Sequence, residues 1–414
     1  MTMGKRPKIS IVMPCRDEER HVGRAIESLL EGAGDDSELI VVDGGSRDKT
    51  REIIKEFIAQ SASPQQKRAN DKAKSSKKER MRDASTGAGG GSRVRMLDNP
   101  KGRVSDGLNI GIRAAQGAYI VRADAHCIYP PNYARRCVEL LEKMGAANAG
   151  GVQVPTAEPS GGESGRGPVV QEGVAVALRH PLGAGDARWR LGRRSGFVDT
   201  VYLGAFRRDL FDAVGLYDTR AVTNQDAELN LRILSDGKKV YLDHTLEVKY
   251  YPRKSLRKLA FQYFRYGKGR AYTALKHRKL TSWRQAAPPL LFLGLAVSVI
   301  AAFWNPLFLL APAAYGISLA AVAVFSRLPN GGDHREKEKT NAASHHDLEE
   351  SPAAGNRPVG LRLRLLVAAS WAVMHICWAA GFWEGVLWGK RPAKNVEGAS
   401  IGHENRKQAV KKNP

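Results

Sequence analysis

Cysteine is scarce in this 414-residue chain: Cys15, Cys127, Cys137 and Cys377 are scattered and show no CxxC spacing. That excludes a disulfide scaffold and a zinc ribbon, and it points to a reducing compartment. Acid is also short, with 42 Asp and Glu against 65 Lys and Arg. A net charge of +23 invites a nucleic-acid reading, but there is no zinc-finger spacing and no RNP-type aromatic motif. Nucleic acid is therefore not the expected partner. Before residue 285 there is no long apolar run, and Ile9 to Met13 is too short for a signal peptide. The globular part is expected to start in the cytoplasm.

What is present is unevenly placed. Residues 61–93 hold nine Lys and Arg against three acids, and residues 250–284 hold eleven against none. The tail 389–414 holds seven against two. These three segments carry almost the whole imbalance, and the densest lies just ahead of a long apolar stretch. Basic residues there mark a cytoplasmic, membrane-proximal segment facing anionic lipid.

Apolar patterning divides the rest. Ile9 to Met13 reads as a buried strand, Asp17 to Leu30 as a helix, Glu38 to Val42 as a second strand and Ser46 to Phe57 as a second helix. Residues 60–93 interrupt this with polar and glycine-rich sequence and read as a disordered basic insertion. Alternation resumes with strand Val94–Leu97, helix Val104–Ala115, strand Ala118–Arg122, a helix from Asn132 to Lys143 and strand Ala149–Val154. Strand and helix in turn imply a mostly parallel, Rossmann-like α/β sheet. From Gln285 to Ser326 no residue is charged. At about 20 residues per span that makes two transmembrane helices, turning at Trp304-Asn305-Pro306.

The expected organisation is a catalytic domain at 1–250, basic interfacial helices at 251–284 and two transmembrane helices at 285–326. A polar loop at 327–364, a third transmembrane or interfacial helix at 365–388 and a basic tail at 389–414 follow. A buried amphipathic helix is the alternative for the third apolar segment, which contains His375 and Glu384. Three spans would export the tail, whereas its charge favours the cytoplasm; a cytoplasmic tail is expected.

Ligands of open parallel sheets bind at the carboxyl ends of the strands, and three strands here end in acid-bearing turns. These are Pro14-Cys15-Arg16-Asp17-Glu18-Glu19, Asp43-Gly44-Gly45-Ser46-Arg47-Asp48 and Arg122-Ala123-Asp124-Ala125-His126. Asp43 suits a hydrogen bond to a ribose or base edge, or serves as an N-cap acceptor, although Ser46 already fits that place. Asp124 and His126 are two residues apart and so point to one side. A carboxylate and an imidazole suit a divalent cation bridging two phosphates.

Taken together, "ISIVMPCRDEERHVGRAIESLL", "ELIVVDGGSRDKTREII", "GLNIGIRAAQGAYIVRADAHCIYPPNY" and "VYLGAFRRDLFDAVGLYDTRAVTNQDAELNLRI" resemble the family 2 glycosyltransferases. Their fold is GT-A, which binds nucleotide-diphospho-sugars. The likeness covers roughly residues 8–275 apart from the insertion, and it is strongest to membrane-attached bacterial enzymes of exopolysaccharide assembly, the succinoglycan type. It implies that Pro14, Arg16 and Glu18 line the nucleotide pocket, that Asp43 reads the uracil or ribose, and that Arg103 and Asp106 lie along the donor. Asp124 and His126 occupy the family's Asp-x-Asp position as metal ligands for Mn²⁺ or Mg²⁺, with His replacing the usual last Asp. Asp226, in Asn224-Gln225-Asp226, matches the general base; the alternative is a helix N-cap. Gln262, Arg265 and Tyr266 resemble a Gln-x-x-Arg-Trp motif that contacts acceptor or diphosphate, with Tyr for Trp. An amphipathic helix on anionic lipid would account for the same residues.

The implied function is an inverting transfer of sugar from a nucleotide-diphosphate donor, UDP-sugar foremost, at the inner membrane's cytoplasmic face. The acceptor would be a polyprenyl-linked oligosaccharide or a polysaccharide. A processive polysaccharide synthase and a non-catalytic membrane-anchored scaffold are the alternatives.

Overall fold

The computed structural model describes residues 8–61, 93–158, 169–192, 194–278, 283–325 and 360–389. Most of the basic insertion, the polar loop and the tail expected from the sequence lie outside the described residues. The chain forms two compact units. Among the described residues the first comprises 8–61, 93–152 and 194–248; the second comprises 153–158, 169–192, 249–278, 283–325 and 360–389. Residues 153–158 and 169–192, which the sequence places in the catalytic domain, thus cluster with the C-terminal helices.

The first unit is built on a nine-stranded sheet. In chain order its elements are β1 (Ile9–Cys15), α1 (Val22–Leu30), β2 (Ser37–Asp43), α2 (Thr50–Ser61), β3 (Val94–Asp98), α3 (Val104–Ala114) and β4 (Tyr119–Arg122). Then come β5 (Cys127–Ile128), α4 (Tyr133–Met144) and β6 (Asn148–Pro155). After the segment belonging to the second unit, β7 (Gly196–Val198), β8 (Tyr202–Arg207), α8 (Leu210–Val214), α9 (Gln225–Ser235) and β9 (Val240–Tyr250) complete the sheet and its flanks. The strand order is β3-β2-β1-β4-β8-β6-β9-β5, with β7 paired to β9.

β3, β2, β1 and β4 are parallel, as the alternating pattern implies, while β8 pairs antiparallel with both β4 and β6. β1 and β2 are near-continuous apolar runs because both faces of a parallel strand are covered. Helix α3 lies on them through glycine: a Cβ on Gly111 would come within 2.3 Å of Val12 Cγ1.

Helices α1 and α2 begin later than periodicity suggests. Residues 17–19 and 46–49 are not helical because their polar groups bond to one another and to Thr50 instead. Asp17 N donates to Ser46 Oγ (2.9 Å), Glu18 N to Thr50 Oγ1 (2.8 Å) and Glu19 N to Asp48 Oδ2 (3.1 Å). In return Arg47 N donates to Asp17 Oδ1 (2.8 Å) and Lys49 N to Glu19 Oε2 (3.1 Å).

The second unit contains α5 (Val169–Leu178), the short α6 (Pro181–Ala184) and α7 (Arg188–Leu191), then α10 (Leu256–His277), α11 (Ala287–Ala301), α12 (Leu310–Phe325) and α13 (Leu361–Leu387). Ser255 caps α10 by accepting from Lys258 N. By length and composition, Pro306–Phe325 and Leu361–Leu387 are able to cross a membrane; α11, at 15 residues, is shorter. The buried share of the apolar window is 11% for the first span and 39% for the second. That contrast separates an outer helix from one packed among α5, α10, α11 and α12. The polar groups that make the third apolar segment ambiguous in the sequence are met by protein. His375 bonds Tyr315 Oη and the Leu182 carbonyl, and Glu384 pairs with Lys268 at 2.7 Å.

α10 and α13 cross on small residues, with Gly381 against the carbonyl of Phe264 at a distance that leaves no room for a Cβ. Replacing Gly381 by Val is expected to force the helices apart and cost about 1–3 kcal/mol. Thermal unfolding of the detergent-solubilised chain checks this, and an unchanged midpoint would contradict the packing.

Candidate active site

The site forms where the parallel strands end. β1 delivers Pro14, opposite Val42 of β2 and under Gly107 of α3. The chain then turns sharply, with Asp17 at φ 54°. Arg16 runs from Gly44, beside its Cβ, to Gly102, beside its guanidinium, so the loops after β1, β2 and β3 meet along one side chain. Two backbone bonds fix this meeting: Gly44 N to Cys15 O at 2.8 Å and Asn99 N to Asp43 O at 2.7 Å.

Asp43 has a fully buried side chain. Its carboxylate accepts from the backbone of Gly45 and Ser46 and from Ser46 Oγ, and it pairs with Arg51, which also reaches Asp98 at 2.7 Å. Burial would raise its pKa, but these donors hold it below the usual carboxylate range. In this structure Asp43 organises the turn that follows β2. Arg103 and Asp106, at the start of α3, pair with each other at 2.7 Å, and Lys101 approaches the same carboxylate at 3.6 Å.

Asp124 follows β4. Its backbone N–H and carbonyl both bond the buried Tyr129 hydroxyl, which sets where the carboxylate begins. His126 Nδ1 lies 3.1 Å from Glu18 Oε1, and His21 Nδ1 lies 3.3 Å from Glu18 Oε2. Burial would raise the Glu18 pKa, yet these two imidazoles hold it at about 2. An ionised Glu18 accepts the Nδ1 proton of His126 and so leaves the ring's lone pair on Nε2. A carboxylate behind a ligating imidazole is the usual support for a metal-binding histidine.

The donor set of Asp124 carboxylate and His126 imidazole, backed by Glu18, therefore fits a divalent cation that takes its remaining ligands from phosphate. Among the described residues there is no group of three or more His, Cys, Asp or Glu able to hold a metal unaided.

One residue with no role foreseen from the sequence joins these parts. Arg122, the last residue of β4, is 5% exposed. It pairs with Asp124 Oδ1 at 3.2 Å through one terminal nitrogen and contacts Asp226 Oδ2 through the other. An arginine ending an otherwise apolar buried strand was the available signal, since buried charge occurs almost only when paired.

Asp226 lies in the first turn of α9, whose N-cap is Asn224 in the left-handed conformation. Asp226 is thus not the helix cap; its carboxylate turns to Arg122. The same helix carries the fully buried Glu228, bound to Arg232 at 2.8 Å. Arg232 in turn donates to the carbonyls of Val214, Gly215 and Leu216. That brace presents Tyr217, whose hydroxyl pKa is pushed up by burial and then by the Asp226 charge.

Gln262, Arg265 and Tyr266 belong to the second unit. Gln262 Nε2 donates to Tyr266 Oη at 2.8 Å and to Tyr250 Oη at 3.2 Å. Arg265 is exposed and lies over the Phe261 ring.

A half-parallel sheet with acid-bearing loops gathered at its carboxyl edge is the arrangement of a GT-A glycosyltransferase. Residues 10–215 match the family model "Glycosyl transferase family 2". Succinoglycan biosynthesis protein ExoA of Rhizobium meliloti (strain 1021) is 31% identical over 381 residues, covering 91% of this chain and 94% of that protein. The chain belongs to glycosyl transferase family 2 and is an enzyme, which removes the scaffold alternative.

It is also 24% identical over 267 residues to a dolichyl N-acetyl-alpha-D-glucosaminyl phosphate 3-beta-D-2,3-diacetamido-2,3-dideoxy-beta-D-glucuronosyltransferase of Methanococcus voltae, covering 63% of this chain and 71% of that one. Among solved structures, mannosyltransferase PcManGT from Pyrobaculum calidifontis, in complex with GDP-Man and Mn²⁺, is 16% identical. It aligns with 94% of this chain and 89% of its own at a TM-score of 0.46.

Removing one partner of a buried ion pair costs about 3–5 kcal/mol. Arg122→Met is expected at the lower end of that range, because Asp124 and Asp226 are 18% and 33% exposed. Circular-dichroism melting checks this, and a wild-type midpoint would show that Arg122 does not hold the two carboxylates.

Proposed function

We propose that this enzyme transfers a sugar from a nucleotide-diphosphate donor, UDP-sugar foremost, to a lipid-linked oligosaccharide or polysaccharide. Transfer takes place at the cytoplasmic face of the inner membrane, with inversion at the anomeric carbon. The observation that carries the reading is the two-point pairing of Arg122, which ties Asp226 to Asp124.

In this reading Asp226 takes the proton from the acceptor hydroxyl as its oxygen attacks the anomeric carbon. Its neighbourhood suits that role, since Asp226 is a third exposed and so open to the acceptor, while Arg122 fixes its direction. Pro14, Arg16, Glu18, Asp43, Arg103 and Asp106 hold the donor, Arg16 by its position over the loops after β2 and β3. A divalent cation, Mn²⁺ or Mg²⁺, held through Asp124 and His126, would balance the charge of the departing diphosphate. Glu18 keeps the His126 imidazole in the tautomer that such a ligand needs. Gln262, Arg265 and Tyr266 serve the acceptor side.

The membrane part of the proposal is supported by the composition of the second unit. Its α11 and α12, with the turn between them, expose large apolar side chains, among them Phe303 at 88% and Trp304 at 80%. The likeness to a protein of succinoglycan biosynthesis and to one acting on a dolichyl-linked sugar phosphate supports a lipid-linked acceptor.

The test is transfer from a panel of radiolabelled nucleotide sugars in membranes carrying the chain. One sugar added to lipid is expected; long polymer would favour the processive alternative. With the productive donor, Asp226→Asn keeps the side chain's size but not its basicity. Turnover at saturating donor should fall by about 10²–10⁴-fold, with donor affinity little changed. Near-normal turnover would remove Asp226 from the chemistry. Excess EDTA is expected to abolish transfer, restored by Mn²⁺ or Mg²⁺; full activity in EDTA would refute the metal role.

A further inference from the structure

Arg190, in the short helix α7 of the second unit, is a partly buried cation with no carboxylate partner among the described residues. Its Nε donates to Gln153 Oε1 and one terminal nitrogen to Tyr263 Oη, both at 3.1 Å. Its guanidinium carbon lies 4.5 Å from the centre of the Trp189 ring. All these neighbours are neutral. The Tyr266 ring packs tilted against Tyr263, centres 5.6 Å apart, and Gln262 links Tyr266 to Tyr250.

A guanidinium has five N–H donors in a planar fork, and two of them go to the neutral acceptors just named. Taking a cation out of water is unfavourable unless an anion balances it. Among the described residues no acid pairs with it, and residues 250–284, which bring Tyr250, Tyr263 and Tyr266, contain none. Three other buried or half-buried arginines do have acids: Arg122 has two, Arg51 two and Arg232 one. Arg190 is held in place by a glutamine and a tyrosine and keeps its charge uncompensated.

We propose that Arg190, with Tyr263 beside it, forms an oxyanion subsite that takes the phosphate of a lipid phosphate. Planar, bidentate recognition of phosphate is what a positioned arginine does best. The Tyr263 hydroxyl accepts from Arg190 and has its own proton to give to a second phosphate oxygen. A lipid is favoured as the carrier because the same unit exposes the apolar faces of α11 and α12. This inference rests on the reading above that the acceptor is lipid-linked, and it names the group by which that acceptor is held.

The test is calorimetric titration of the full chain in non-ionic micelles with farnesyl phosphate, with farnesol and inorganic phosphate as separate arms. Arg190→Gln is expected to weaken farnesyl phosphate at least about tenfold, as for one lost charge-assisted hydrogen bond. Arg190→Lys should lose less, and Tyr263→Phe about threefold. Farnesol binding should not depend on Arg190.

If Arg190→Gln melts away, Arg190→Lys and Tyr263→Phe decide the matter, and wild-type affinity in both overturns the subsite. Inorganic phosphate bound through Arg190 as tightly as farnesyl phosphate would overturn the lipid assignment. Donor turnover is measured on the wild-type chain in the same preparation. Arg190-dependent binding without any turnover sinks the transferase reading alone, whereas turnover with Arg190-independent binding sinks the subsite alone.

Discussion

Arg122 ends a buried strand and holds two carboxylates that come from opposite parts of the first unit. Asp124 is two residues further along the same chain; Asp226 arrives from the start of α9, about a hundred residues later. Left alone, two carboxylates directed at one cleft repel each other and draw in water. The guanidinium between them makes it favourable for both to stay ionised. It also requires β4 and α9 to be in register, and that register is enforced from behind. The Tyr129 hydroxyl clamps the backbone of Asp124, while Glu228 and Arg232 secure α9 against the 214–216 carbonyls.

The loops after β1 and β2 follow the same logic with different groups. Loops after adjacent parallel strands are laced by backbone donors into acidic side chains, so acids that look catalytic in the sequence also do structural work. Asp43 is the clearest instance, with its carboxylate taken up by the turn and by Arg51. Glu18 differs, since its partners are two imidazoles, and one of these is His126. Ion pairs and hydrogen bonds here decide which acids are taken up by the fold.

The second unit obeys packing rules more than electrostatic ones. α13 lies among four helices, meets α10 on glycine and satisfies His375 and Glu384 internally. α12 leaves its apolar side chains outward. Two segments of similar hydropathy therefore have different surroundings, and only the partners of their polar groups separate them.

Local patterning sufficed for much of this. Apolar runs ahead of Pro14, Asp43 and Arg122 marked the parallel strands, because strand burial is a property of short segments. Asp124 and His126 were legible as candidates from their spacing at a strand end, whereas Asp226 was a candidate only through the resemblance to the family. Tertiary structure alone decided that Arg122 joins Asp124 to Asp226, that Asn224 and not Asp226 caps α9, and that α1 and α2 start late. It also decided that residues 153–158 and 169–192 side with the C-terminal helices and that Arg190 has no acid partner among the described residues. In each of these the partner lies tens to hundreds of residues away, and no local periodicity records which distant group comes within hydrogen-bond reach.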